Sequence, residues 1–292
     1  MNRPKVAIIG AGVVGTAIGT LLNRQGFPIV GVASRRLISA EGAVEYIGAG
    51  AASTDPAETA RQAEVVLITT PDGAIGPVCE EIAKKKGFKA GATVIHCCGA
   101  HSAGILGAAH SCGARILSIH PLQTLADRDQ AVANLPGSFF ALDGDGEAID
   151  LGKEIIEALG GSVMVIPSEG KMLYHAAAVV ACNYFVALVY QALRMFEAVG
   201  IDKEKGLPAL MPLIQGTVRN LEGVGVPKAL TGPIARGDVK TIEGHLSAFD
   251  RFMPDGKKVY AEMGKVAVEV AEAKGTIDEK VKQRLLELLD LS

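Results

Sequence analysis

The fold of the first half of the chain is decided by the stretch KVAIIGAGVVG, Lys5–Gly15. Its apolar residues 6–9 predict a buried strand, and the ten residues that follow Gly15 have the composition of a helix. Gly10, Gly12 and Gly15 lie between them in the spacing GxGxxG. In that context the three glycines allow a tight turn, close approach of a pyrophosphate, and close packing of helix on strand. The stretch therefore predicts a dinucleotide-binding turn, with the helix N-terminus facing the phosphates.

The pattern continues beyond this turn, since short apolar runs alternate with amphipathic stretches up to about residue 167. Most of the runs are continuous and apolar, which is typical of strands covered by helices on both faces. The sequence therefore predicts an α/β Rossmann domain, doubly wound around a mainly parallel sheet. The predicted strands are Val6–Ile9, Ile29–Ala33, Val65–Thr69, Thr93–Cys97, Ile116–Ile119, Phe139–Leu142 and Val163–Ile166, with a weaker one near 49–52.

Strand-like runs vanish after Pro167, where long helical patterns take over. This change predicts two domains, residues 1–167 for the Rossmann domain and residues 168–292 for an all-helical domain. The helices are expected at about 168–199, 203–222, 239–250, 255–274 and 277–290. Asp238 is a candidate N-cap for the third of them.

One uncharged stretch, Met172–Leu193, is long enough to raise the question of a membrane span. It carries His175, Asn183 and Gln191, so we interpret it as a helix buried on most sides. We expect no targeting segment at the start of this sequence, because residues 6–9 are too short for a signal-peptide core. We expect a protein that does not associate with membranes.

Composition narrows the class of protein further. The net charge is -3, with 29 basic and 32 acidic residues and no long run of one sign, so a nucleic-acid partner is not expected. The apolar fraction of 49% is ample for a packed core. Five cysteines form an odd set without a CxxC motif, which favours reduced thiols in the cytoplasm, and no metal site is expected.

The end of the second predicted strand indicates which cofactor is bound. An NAD enzyme usually places Asp or Glu there to accept from the ribose hydroxyl, but this chain has Ser34, Arg35 and Arg36. A carboxylate would repel a 2'-phosphate, whereas guanidinium groups bind it through charge-assisted hydrogen bonds. These residues predict NADP(H), the alternative being that the two arginines only begin a solvated helix.

Small and polar residues also follow the later predicted strands, where ligands of an open parallel sheet bind. Their convergence at one edge suggests room for a nicotinamide ring and a small substrate. Cys98 is not predicted as a nucleophile. The predicted cofactor-binding residues are Gly10, Gly12, Val13, Val14, Gly15, Ser34, Arg35, Arg36, Thr70, Pro71, Cys98 and Gly99, and Ser102 and His120 are predicted to contact substrate.

A polar stripe interrupts the apolar stretch that follows the Rossmann domain. Lys171 and His175 are four residues apart and share a helix face, and Asn183 lies on an adjoining face if the helix is continuous. One interpretation is that these side chains only form hydrogen bonds with buried backbone groups. Beside a hydride-transfer site they would instead supply a proton and orient the acceptor. Lys171 is the first candidate for general acid, and His175 is the second.

Two more candidates lie in the segment ALTGPIARGD, 229–238. Turn formation and helix capping account for its Gly, Pro and Asp residues but not for Thr231 and Arg236. Arg236 is predicted either to bind a substrate carboxylate or to form a contact between subunits.

These motifs together resemble the bacterial proteins that carry a Rossmann-like domain and a DUF2520 domain, relatives of ketopantoate reductase and pyrroline-5-carboxylate reductase. The resemblance covers nearly the whole chain. It rests on the glycine turn, on HPLQ at 120–123, on KMLYHAA at 171–177, on Asn183 and Tyr184, and on the 229–238 segment with His245 and Leu246.

The resemblance implies an NADP-dependent oxidoreductase with a helical dimerisation domain of the 6-phosphogluconate dehydrogenase C-terminal-like type, and an active cleft between the domains. It also implies a small oxo acid such as ketopantoate as the hydride acceptor. An imino acid such as pyrroline-5-carboxylate is the alternative, and a non-catalytic NADPH-binding regulator is another. Ordinary ketopantoate reductases place Asn four residues after the catalytic Lys, whereas this chain has His175 there.

Overall fold

The computed structural model describes residues 3–291. It divides into two compact units, with the boundary between Ala181 and Cys182. The first unit is built on a sheet and the second is entirely helical, as the sequence predicts.

One eight-stranded sheet forms the first unit, in the order β3-β2-β1-β4-β5-β6-β7-β8. Its neighbouring strands are parallel except β6 and β7, which pair in the antiparallel sense. The mainly parallel, doubly wound fold is therefore confirmed. The strands are β1 Val6–Ile9, β2 Ile29–Ala33, β3 Ala51–Ser53, β4 Val65–Ile68, β5 Thr93–His96, β6 Arg115–Pro121, β7 Phe139–Gly144 and β8 Ser162–Val165.

Helices cover both faces of this sheet. Val6 and Ile8 of β1 belong to one buried apolar cluster, while Ala7 and Ile9 belong to a second cluster on the opposite face. This alternation explains why β1 reads as a continuous apolar run. The helices of the unit are α1 Val13–Arg24, α2 Leu37–Ile47, α3 Pro56–Arg61, α4 Asp72–Lys84, α5 Gly107–His110, α6 Arg128–Asn134, α7 Gly146–Ala158 and α8 Lys171–Ala181.

The second unit packs its own core around Ile242, Val268, Leu285 and Leu289. Asp238 caps one of its helices as expected, accepting a hydrogen bond from the Thr241 N–H at 3.1 Å. The helices are α9 Asn183–Ala198, α10 Lys203–Val224, α11 Val239–Phe252, α12 Lys257–Lys274 and α13 Glu279–Leu289.

The region around residues 168–199 differs from the sequence prediction in two ways. The expected single helix is interrupted at Cys182, which has φ -115° and ψ -66°. The division between units also falls after α8, later than the boundary predicted at residue 167. The physical reason is that Lys171 at the start of α8 is ion-paired to Asp143 of β7, which attaches this helix to the sheet.

The apolar surface of α8 and α9 corrects another expectation. Within residues 3–291, one stretch, Ser168–Ala198, is long and apolar enough to span a membrane, and none of its most apolar window is buried. The interpretation of this segment as a helix buried on most sides is therefore wrong for the single chain. Large apolar side chains such as Leu173, Val186 and Tyr190 are exposed.

Strand β7 offers a test of the sheet core. Phe140 is fully buried, whereas its neighbour Phe139 is 54% exposed. We expect Phe140→Ala to lower the free energy of unfolding by about 3–5 kcal/mol, because it leaves a cavity. The matched control Phe139→Ala should change it by about 0.5 kcal/mol or less. Urea denaturation of both variants checks this, and equal effects would contradict the assigned faces of β7.

Candidate active site

The glycine turn joins β1 to α1 with the geometry that the motif requires. Gly10 has φ 121°, and a Cβ there would lie 2.7 Å from the carbonyl carbon of Thr69. A Cβ on Gly15 would collide with the Thr69 side chain, whose hydroxyl donates to the Gly10 carbonyl at 2.9 Å. A Cβ on Gly12 would meet nothing within 4 Å. The backbone is thus packed tightly on one side and open at Gly12, where a phosphate would approach.

A cavity of about 570 Å³ opens beside this turn. Seven of the predicted cofactor residues line it, and they come from the carboxyl ends of three neighbouring strands: Gly10, Gly12, Ser34, Arg35, Arg36, Thr70 and Pro71. Ser39 and Thr54 are further polar residues of the lining that the sequence did not single out. Glu81, an acidic residue of the lining, is paired with Lys85 at 2.9 Å.

The remaining predicted cofactor residues do not line this cavity. Val13 and Val14 begin α1, and Gly15 is buried against β1 and Thr69. Cys98 and Gly99 follow β5, farther along the same edge of the sheet. The Cys98 thiol accepts from the Ala100 N–H at 3.3 Å, and burial raises its pKa, so it is a poor candidate nucleophile.

Unpartnered polar groups mark the cavity as a binding site for a polar molecule. The Thr70 hydroxyl oxygen is buried and has no hydrogen-bond partner in residues 3–291. Arg35 and Arg36 are exposed at the end of β2, and their guanidinium groups make no hydrogen bond or ion pair to the described chain. Buried polar groups are normally paired, and free guanidinium groups bind phosphate. The lining therefore fits the phosphates and ribose of NADP(H).

Arg128 adds a cation beside the glycine turn that sequence reasoning did not identify. Its guanidinium donates to the Ala11 carbonyl at 3.4 Å and lies 5.9 Å from the centroid of the Tyr46 ring. Nothing local to Arg128 in the sequence indicates this, because the contact spans 117 positions.

His96, at the end of β5, organises the loop that follows. Its Nδ1 accepts from the Cys98 N–H at 3.1 Å, so Nε2 carries the proton and donates to the Ser102 carbonyl at 3.1 Å. Burial lowers the pKa of His96 to about 4, which keeps it neutral. Ser102, a predicted substrate residue, thus contributes its backbone to loop structure, and residues 97–102 are held over the sheet edge.

A cluster of aromatic and imidazole rings lies where β6 ends and α8 begins. The Nδ1 of His120 is 2.8 Å from the Tyr174 hydroxyl, and its ring is edge-to-face with His175 at 5.8 Å between centroids. Gly99 is buried against both imidazoles, because a Cβ there would collide with Nδ1 of His175 and lie 2.7 Å from Nε2 of His120. The structure thus brings together three predicted residues, Gly99, His120 and His175, and adds Tyr174.

The Lys171 ammonium group is bound to other residues and is not free to donate a proton in this cluster. Its side chain is 1% exposed, and its ammonium group is 2.5 Å from the Asp143 carboxylate and bonded to the Ser118 hydroxyl. Asp143 also accepts from the Ala103 N–H at 3.0 Å and from the Ser168 hydroxyl at 3.2 Å. A buried, fully paired ammonium is not positioned to meet a substrate. The sequence predicts Lys171 as a general acid, and the structure places its ammonium group between Asp143 and Ser118.

The other predicted residues lie in the second unit. Asn183 starts α9, so the continuous helix that placed it on a face next to His175 does not exist. Thr231 is exposed, and Arg236 is exposed at the end of a short 3-10 turn.

Two groups of residues were missed from the sequence, for different reasons. Tyr174 lies inside the motif KMLYHAA, three residues after Lys171, so helical spacing could have found it. Asp143 and Ser118 pair with Lys171 across 28 and 53 positions, and no local signal indicates such contacts.

Comparison with protein families identifies both parts of the chain. Residues 1–121 match the Rossmann-like domain, and residues 138–267 match DUF2520, a domain of unknown function. These matches confirm the resemblance drawn from the sequence motifs. The comparison with curated proteins gives no match.

Solved structures share the fold over nearly the whole chain. A protein from Thermotoga maritima is 28% identical with a TM-score of 0.75, over 92% of this chain and 99% of its own. An imine reductase from Myxococcus stipitatus in complex with NADP+ is 17% identical with a TM-score of 0.66, over 97% and 100%. A pyrroline-5-carboxylate reductase from Coxiella burnetii is 19% identical with a TM-score of 0.61, over 98% and 99%. The likeness to the two reductases establishes the fold.

Titration of His96 predicts a pH dependence of stability. Its pKa in the folded chain, about 4, lies below the ordinary 6.5, so its contribution is complete above pH 6.5 and is lost as the pH falls toward 4. Over that interval we expect wild type to lose about 2–4 kcal/mol more of its free energy of unfolding than His96→Gln. Urea denaturation across the pH range measures the difference, and parallel curves would contradict the buried, neutral His96.

The role of Lys171 predicts a specific pattern of stabilities. We expect Lys171→Met to lower the free energy of unfolding by about 3–5 kcal/mol, because Asp143 is left buried and unpaired. In the double variant Lys171→Met/Asp143→Asn no charge is left unpaired, and the amide still accepts from Ala103, so most of the loss should be recovered. A single variant as stable as wild type would show that the pair does not hold α8.

Proposed function

We propose that this chain, which combines a Rossmann-like domain with a DUF2520 domain, is an NADP-dependent oxidoreductase that transfers hydride from NADPH to a small oxo acid. The observation that carries the proposal is the cavity at the ends of β1, β2 and β4, with its open glycine turn, its unpartnered Thr70 hydroxyl and the free arginines 35 and 36. Fold alone would not support an activity, whereas this set of groups matches one ligand class.

NADP(H) is preferred over NAD(H) because of the charges at the end of β2. Ser34, Arg35 and Arg36 offer a hydroxyl and two cations to a 2'-phosphate, in the place where an NAD enzyme presents a carboxylate. The Myxococcus imine reductase has been solved in complex with NADP+ and, as a variant, with NAD+, so the preference rests on residues 34–36 of this chain.

The order of strands predicts where reduction would occur. With the pyrophosphate at Gly12 and the adenosine end at β2, the other end of the dinucleotide extends toward β4, β5 and β6, whose parallel carboxyl ends share one edge. Bound there, the cofactor would supply a hydride. The groups that the chain presents at this place are Gly99, His120, Tyr174 and His175.

An imino acid is the alternative acceptor. The fold of this chain is shared with an imine reductase and a pyrroline-5-carboxylate reductase, which favours a C=N substrate. Both acceptors need hydride at carbon and a proton at the heteroatom, so the same site would serve either.

His175 and Asn183 remain candidates to orient the acceptor. Thr231 remains a candidate to bind the substrate, and Arg236 a candidate to bind its carboxylate. For Lys171 the proposal changes from proton donor to positioning residue, since its ammonium group is paired with Asp143.

We also infer a homodimer formed through the helical unit. The supporting observation is the exposed apolar surface of α9 and α10, where Val186, Leu188, Leu207 and Leu213 are solvent-exposed in the single chain. Surfaces of this kind mark interaction sites in soluble proteins. The five cysteines are all free thiols, which supports the reducing cytoplasm as the location.

Replacing the two arginines tests the cofactor assignment. We expect wild type to bind NADPH at least about 100-fold more tightly than NADH, and Arg35→Ala/Arg36→Ala to lose most of this preference, because charge-assisted bonds to the 2'-phosphate contribute about 1.5–3 kcal/mol each. Arg24→Ala, at the far end of α1, is the control and should keep the preference. Calorimetric titration of these three proteins with both cofactors measures the six affinities.

Equal affinity of wild type for the two cofactors would contradict the assignment of Arg35 and Arg36. Tight NADPH binding without oxidation in the presence of ketopantoate or pyrroline-5-carboxylate would instead favour a non-catalytic NADPH-binding regulator.

A further inference from the structure

We propose that Tyr174 is the proton donor of the reduction and that His120 is the residue that positions and reprotonates it. This inference rests on the proposed function, because it assigns a role within the same site. It replaces the general-acid role that the sequence suggested for Lys171.

The geometry of the pair is the first support. The Tyr174 hydroxyl lies 2.8 Å from Nδ1 of His120, and the two rings are edge-to-face at 5.6 Å between centroids. Tyr174 comes from α8 and His120 from β6, so the contact joins two elements that are 54 positions apart. Both side chains are only partly buried, which leaves them accessible to a small acceptor.

The surroundings of Lys171 and His175 argue against either of them as the proton donor. Lys171 is enclosed by Asp143 and Ser118 with 1% of its side chain exposed. The Nδ1 of His175 is buried against Gly99 and has no hydrogen-bond partner within residues 3–291, so no second group is in place to resupply it with a proton. Of these polar groups, the Tyr174 hydroxyl combines partial exposure with a hydrogen-bonded partner behind it.

Gly99 allows the two imidazole rings to pack closely at this place. A side chain at this position would collide with the His175 ring and lie 2.7 Å from Nε2 of His120. The glycine at the end of β5 therefore lets both imidazoles pack at the sheet edge where the nicotinamide is expected.

The charge states are consistent with this division of roles. Burial raises the pKa of Tyr174 to about 12, so the phenol keeps its proton at neutral pH. Burial, with the nearby Lys171 charge as the second cause, lowers the pKa of His120 to about 4, so the imidazole is neutral. A phenol that is held by a neutral imidazole can donate one proton without leaving a buried cation.

The proposed step balances in protons and electrons. Hydride adds to the carbonyl carbon as the C=O π pair moves to oxygen, and this oxygen takes the proton of the Tyr174 hydroxyl. In this step neutral His120 carries its proton on Nδ1. The phenolate oxygen takes this proton while Nε2 takes one from water, and the hydroxide that remains is neutralised by the solvent. NADPH is oxidised, the carbonyl is reduced to an alcohol, and the net proton comes from solvent.

This donor has a consequence for the substrate class. An alkoxide is a much stronger base than a phenolate, so the transfer to a carbonyl oxygen is favourable even from a weakly acidic tyrosine. An imine nitrogen must be protonated before it becomes a good hydride acceptor, and a weakly acidic phenol does this poorly. The pair therefore favours an oxo acid over an imino acid.

The chain contains its own matched control for the test. In the second unit Tyr260 and His245 repeat the arrangement, with 2.7 Å between the hydroxyl and Nδ1 and 5.8 Å between ring centroids. Tyr260→Phe thus removes the same hydroxyl from the same kind of partner, in the other unit of the chain.

The experiment compares wild type, Tyr174→Phe and Tyr260→Phe in single-turnover oxidation of bound NADPH, with ketopantoate and with pyrroline-5-carboxylate as acceptors. For Tyr174→Phe we expect a rate at least about 100-fold lower with ketopantoate, with unchanged NADPH affinity. Its residual rate should rise as the pH falls, because solvent then supplies the proton, whereas wild type should be flat between about pH 5 and 9. Tyr260→Phe should behave as wild type.

His120 is tested by chemical rescue, which a merely structural residue would not show. We expect His120→Ala to lower the rate and added imidazole to restore part of it, with the KM for NADPH unchanged. A Tyr174→Phe variant that reduces ketopantoate at the wild-type rate and with the wild-type pH profile would overturn the inference while leaving the proposed function intact. A wild-type protein that binds NADPH and reduces neither acceptor would overturn both.

Discussion

The position of the proposed acceptor site depends on the ion pair between Lys171 and Asp143. Two charges are removed from water at the end of β7. They are tolerated there because the Ser118 hydroxyl accepts from the ammonium group, while the Ala103 N–H and the Ser168 hydroxyl donate to the carboxylate. The pair attaches the first turn of α8 to the sheet. Tyr174 and His175, about one turn further along, are thereby brought against His120 and Gly99.

The two halves of the proposed site depend on different physics. The cofactor half consists mainly of backbone, namely a turn that only glycine can form and a helix N-terminus. The free cations at the end of β2 complete it. The acceptor half contains the rings of His120 and Tyr174, whose pKa values are displaced by burial, so that these two groups present protons rather than net charges to the substrate. Both halves lie along the same edge because β1, β4, β5 and β6 are parallel.

The sequence predicts well what is encoded locally. The apolar runs locate the strands to within a few residues, and the spacing of Gly10, Gly12 and Gly15 predicts the turn and its role. The reversal of β7 was not predictable, because the β6 to β7 connection contains α6 and so resembles a parallel crossover. The burial of Lys171 was not predictable either, since its partner Asp143 is 28 positions away.

Transfer of deuterium tests the central claim most directly. Wild-type protein would be given NADPH that is deuterated at both C4 positions, with ketopantoate and pyrroline-5-carboxylate offered separately, and the products examined by mass spectrometry. The account predicts a reduced ketopantoate that carries one deuterium on the former carbonyl carbon. A reduced product without deuterium, or deuterium that appears only in the reduced imine, would contradict it.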